Sequence, residues 1–68
     1  MSVWLEIIDL VNLDRFSICD VTKNDDGSIS IVLSKTVAES EILETETFVI
    51  EQSNPDYDII NLLAVFWR

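Results

Sequence analysis

The chain's main stock of reactive groups is its thirteen carboxylates, and Glu39, Glu41, Glu44 and Glu46 form their densest cluster. Two uses are open to such residues. A pair of carboxylates performs acid–base work when burial drives the two pKa values apart. A row of them also steers a basic partner into contact. The first use has little specificity here, because thirteen carboxylates in 68 residues make pairs unavoidable. Other catalytic parts are missing. There is no histidine, so the usual general base and the Ser–His and Cys–His pairings are absent. Cys19 is the only cysteine and reads as a small packing residue. Gly27 is the only glycine, and one glycine cannot build a phosphate-cradling loop. These absences argue against an enzyme, and no catalytic residue is assigned.

One stretch invites a metal. Thr22 to Leu33, TKNDDGSISIVL, resembles a calcium loop of the EF-hand type over twelve residues. Asn24 and Asp26 stand at the third and fifth ligand positions, and Gly27 stands at the sixth. Ser28 and Ser30 follow at the seventh and ninth, with Ile29 at the apolar eighth. Thr22 replaces the first aspartate, however, and Leu33 replaces the closing bidentate glutamate. A hairpin turn accounts for Asp25, Asp26 and Gly27 without a metal. No metal ligand and no cofactor are assigned. Zinc is disfavoured by one thiol and no histidine.

The bulk composition limits the rest. Four basic residues against thirteen acidic ones give a net charge of −9. Such a chain repels nucleic acid and anionic membranes, and Arg15, Lys23, Lys35 and Arg68 are too scattered to form a phosphate-binding track. The 49% hydrophobic content suits a folded chain, and 68 residues make a single domain, 1–68. A domain this small buries only roughly 60% of its unfolded surface, so dense packing or association must support it. The apolar start contains Glu6 and Asp9 and lacks a basic leader, which makes it a poor signal peptide. The uncharged run Ile59 to Trp67 is nine residues, against roughly 20 needed to span a bilayer. A reduced, cytoplasmic setting is expected for a single cysteine.

The elements that must position these groups follow from period and punctuation. Ser2, Glu6, Asp9 and Asn12 recur every three or four residues among apolar neighbours, which predicts an N-terminal helix capped by Ser2. RFSICDVT and SISIVLS flank KNDDG, which predicts a hairpin. Simple alternation puts Phe16, Ile18, Ile29, Ile31 and Leu33 on its core side. Ser17, Cys19, Ser28, Ser30 and Ser34 take the other side, with Val21 and Val32. The stretch SEILETETFVIEQ alternates imperfectly and carries threonines and β-branched residues, so it predicts a third strand. A rival helix would start at the capping-box pattern Thr36-Val37-Ala38-Glu39. Ser53 or Asn54 as cap and Pro55 in the first turn predict a C-terminal helix from about Pro55. The expected fold is therefore α+β, a three-stranded antiparallel meander flanked by an N-terminal and a C-terminal helix. The alternative is a mostly β fold with the C-terminal segment as a strand. Both helices are apolar around most of their circumference, so part of each needs cover from the other, from a second copy or from a partner.

The expected function is that of a small acidic, non-enzymatic protein-binding module on a basic partner protein. An inhibitor, an immunity or antitoxin-like factor and a mimic of nucleic-acid charge are the classes that fit. Glu39, Glu41, Glu44 and Glu46 would steer, and Trp4 or Trp67 would anchor. The same charges also serve to guard a strand edge against aggregation. The alternative function is an assembly protein that self-associates through its apolar helices into a homo-oligomer. Direct nucleic-acid or membrane binding is not expected.

Overall fold

The computed structural model describes residues 2–36 and 43–67. Its element order is α1 (Val3–Asn12), β1 (Ser17–Lys23), β2 (Ile29–Thr36), β3 (Leu43–Ile50) and α2 (Tyr57–Phe66). The fold is α+β, with a three-stranded antiparallel sheet in the order β1-β2-β3, its strands falling between the two helices in sequence. The C-terminal segment is a helix, so the mostly β alternative does not hold.

Helix α1 starts where its sequence predicts. The Ser2 hydroxyl accepts the Leu5 N–H at 3.2 Å, satisfying one of the first-turn donors that a helix leaves unpaired. Leu13 is its C-cap, donating its N–H to the Asp9 carbonyl, and Arg15 follows with φ 63, in the left-handed region that a non-glycine residue enters at a cost. That twist lets the Phe16 N–H reach back to the Leu10 carbonyl at 3.0 Å and turns the chain into β1.

Between β1 and β2 the turn closes on itself. The Gly27 N–H donates to the Asn24 carbonyl at 2.9 Å, and the Asn24 N–H donates to the Ser28 carbonyl at 2.8 Å. Gly27 has φ 90. A Cβ there would fall 1.9 Å from the Gln52 amide nitrogen. The glutamine can swing aside, but the backbone angle is what requires glycine.

Simple alternation fails in one place. Ile18 lies opposite Leu33 and Asp20 opposite Val32, so Cys19 is an extra residue, a β-bulge. The bulge reverses the parity of everything after it. Val21, expected on the serine-rich side beside Val32, pairs with Ile31 and is buried in the core. Cys19 is exposed at the bulge. Ser28, expected on the same polar side, precedes β2 and is buried in the turn. The third strand forms as expected, and the alternation of Glu44 and Glu46 with Thr45 and Thr47 is kept. Thr36 ends β2, and the remainder of the rival capping-box pattern lies outside the described residues.

The core is one layer between sheet and helices. Ile29, Ile31 and Leu33 of β2 are fully buried, with Val21, Phe16 and Ile50 beside them and Ile7 and Ile60 pressed down from α1 and α2. Each such aliphatic side chain contributes about 1.5–3 kcal/mol when fully buried. The opposite side of the sheet carries Thr22, Ser30, Val32, Ser34, Thr45, Thr47 and Val49, whose register places them together away from the core. Helix α2 begins two residues later than Pro55, because Asp56 is its N-cap. Asn54 does not cap α2 by its side chain; its Oδ1 accepts the Asp56 N–H at 2.8 Å instead. Among the described residues no helix is long and apolar enough to cross a membrane.

Candidate interaction surface

Two surfaces emerge from these elements, one apolar and one acidic. The apolar one is the outer side of α2. Its inner side is fixed: Ile60 is fully buried, and Tyr57, Leu63, Ala64 and Trp67 pack against the core. Polar contacts lock the helix at the same end. The Tyr57 hydroxyl donates to the Gly27 carbonyl at 2.6 Å, and the Lys23 ammonium donates to the Asn61 Oδ1 at 3.2 Å. The Asp56 carboxylate accepts the Trp4 N–H at 3.1 Å, so the start of α2 caps the start of α1. A buried or half-buried neutral hydrogen bond of this kind contributes about 0.5–1.5 kcal/mol, and a charged one more.

With the inner side held, the outer side is exposed. Ile59, Leu62, Val65 and Phe66 are 50%, 58%, 62% and 77% exposed. At 100° per residue they occupy one arc centred on Leu62, with Asp58 as its only charged member. The polar Asn61 lies towards β1, where it meets Lys23. The apolar residues are thus left outside. Sequence reading anticipated that part of this helix would need cover. It did not identify Ile59, Leu62, Val65 and Phe66, because the period shows only a stripe, and the seat of the helix on the sheet decides which part faces out.

Among the described residues the acidic surface lies on β3. Glu44 and Glu46 lie exposed on one side of β3, opposite Lys35 and Leu33. Glu44 pairs with Lys35 at 3.8 Å, and the Lys35 ammonium sits 5.0 Å from the Phe16 ring centre. An exposed pair of this kind is worth about 0–1 kcal/mol. Glu39 and Glu41 lie outside the described residues. Trp4 and Trp67, the expected anchors, are half-buried and packed against the core.

In the turn once compared with a calcium loop, the polar atoms satisfy one another. Asp26 Oδ1 accepts both the Ser28 hydroxyl at 2.6 Å and the Ser28 N–H at 2.9 Å. The Asn24 amide donates to the Ser28 and Ser30 hydroxyls at 3.0 and 2.9 Å. The Ser28 hydroxyl, with its N–H second, holds the Asp26 carboxyl below its ordinary value of 3.8. Strands, not helices, flank the loop.

Comparison with protein-family models, with curated proteins and with solved structures finds no significant match to this chain. The functional reading therefore rests on the surfaces alone.

Proposed function

We propose that this chain is a small acidic, non-enzymatic protein-binding module that docks on a basic protein surface. The outer arc of α2 carries this reading. Ile59, Leu62 and Phe66 follow the i, i+3, i+7 spacing by which an amphipathic helix fills a groove on its partner. The inner side of the same helix is already anchored, so docking would cost little ordering of the helix itself. Charge selects the occupant. A chain at net −9 with Asp58 inside the apolar arc is complemented by an apolar groove rimmed with lysine or arginine. An inhibitor, an immunity or antitoxin-like factor and a mimic of nucleic-acid charge are the classes that this reading admits.

The second reading, self-association through the helices, draws on the same exposed arc. It has to bring one net charge of −9 against another, which like-charge repulsion opposes.

The test is capture from native lysate on the immobilised chain at low and high salt, beside a folded Leu62→Gln/Phe66→Gln variant. A specific basic protein held by the native chain, weakened by salt and lost from the variant, is the expected result. Identical capture by both chains would reject the α2 surface. A stable dimer in light scattering at micromolar concentration, lost in the same variant, would favour the second reading.

A further inference from the structure

The sheet has two edges, and they are not alike. The outer edge of β1 is interrupted by the bulge at Cys19, which breaks the regular spacing of backbone donors and acceptors. The outer edge of β3 is not. From Leu43 to Ile50 every residue pairs with β2 in continuous register, from Thr36↔Leu43 to Ile29↔Ile50. The strand LETETFVI contains no proline and no bulge, and its only edge guards are the charges of Glu44 and Glu46, which repel a neutral or acidic strand but not a basic one. Among the described residues nothing pairs with its outer side.

We infer that the outer edge of β3 accepts an extended basic segment of a partner protein as a fourth, backbone-paired strand. The inference rests on the reading above in one respect, the basic character of the partner, and it concerns a different surface from α2. Register sets the recognition pattern. Glu44 and Glu46 stand on one side of β3, two residues apart, so basic side chains at alternate positions of the incoming strand meet Glu46 and share Glu44 with Lys35. The residue between those positions faces Thr45 and shares the hydroxyl-bearing side of the sheet, which suits threonine or valine. The recognised segment is therefore basic–β-branched–basic. A second copy is a poor occupant. Pairing two β3 strands in registers that set Glu44 against Glu46 places like charges opposite each other.

The probe is a synthetic peptide of sequence Val-Lys-Thr-Lys-Val with blocked ends, titrated into the full chain and followed by backbone amide NMR shifts. Two analogues keep its charge and carry N-methyl groups on alternate residues, one set on each edge of the extended peptide. The expected result is shifts confined to Leu43–Ile50 and the neighbouring β2 amides. One analogue should bind at least about tenfold more weakly, while the other matches the parent. Equal binding of both analogues would show attraction by charge alone and overturn the inference. Shifts centred on β1 or α2, or no binding at millimolar peptide, would overturn it as well. None of these failures touches the α2 reading, which stands or falls with Leu62 and Phe66.

Discussion

Ser28 shows how one side chain sets the pH response of a loop. Its hydroxyl and N–H both point at Asp26 Oδ1 and favour the charged carboxylate. A carboxyl held below its unfolded value adds stability above that value, and the addition is lost as pH falls through the folded one. The loss therefore begins below about pH 4 and grows more acidic from there. Asp26→Asn removes the charge and keeps the shape. The gap in thermal midpoint between the native chain and this variant should be widest near neutral pH and shrink as the pH falls below about 4. A gap independent of pH would show that the Ser28 contacts do not act on the charge. The turn itself was legible from Asp25, Asp26 and Gly27. Its inner wiring was not, since Asn24, Ser28 and Ser30 meet only after the strands have paired.

The two sides of α2 behave as different materials. Ile60 is fully buried between the helix and the sheet, and Leu62, about 200° round the wheel, is 58% exposed. Ile60→Ala should cost about 2–5 kcal/mol in urea unfolding, because it opens a cavity in a packed layer. Leu62→Ala should stay within about 0.5 kcal/mol. Comparable losses at both positions would mean that the outer arc is covered in solution, as in a self-associated state. The existence and type of every element could be read from the sequence, since the 3.6 and 2.0 periods and the single glycine punctuate it well. Two boundaries could not. The bulge at Cys19 has no residue signature, and it moved Val21 across the sheet. The start of α2 shifted from Pro55 to Tyr57, because Asn54 bonds the Asp56 N–H and Asp56 turns to a helix 52 positions away.

At the scale of the molecule, the sheet is built from neighbours in sequence and the helices are attached at either end. A meander with short connections needs few distant encounters, so its topology follows the default that consecutive strands pair. The candidate surfaces were only half legible for the same reason. Charge is additive and visible in any order, so the acidic character was plain. Exposure depends on how the last helix seats itself on the sheet, which no local pattern records.

The bond between Asp56 and the Trp4 N–H has a consequence in time. It joins positions 52 apart, and the loop-closure cost of so long a span is met only when the intervening sheet has already brought both ends together. The contact should thus belong to the last stage of folding. In stopped-flow chevrons, Asp56→Ala should speed unfolding and leave the refolding rate nearly unchanged, a φ-value close to zero. A φ-value near one would place the meeting of the two ends in the nucleus. On a ribosome the same order holds: Trp4 emerges long before Asp56, and the first helix waits for the last turn of the chain to complete its cap.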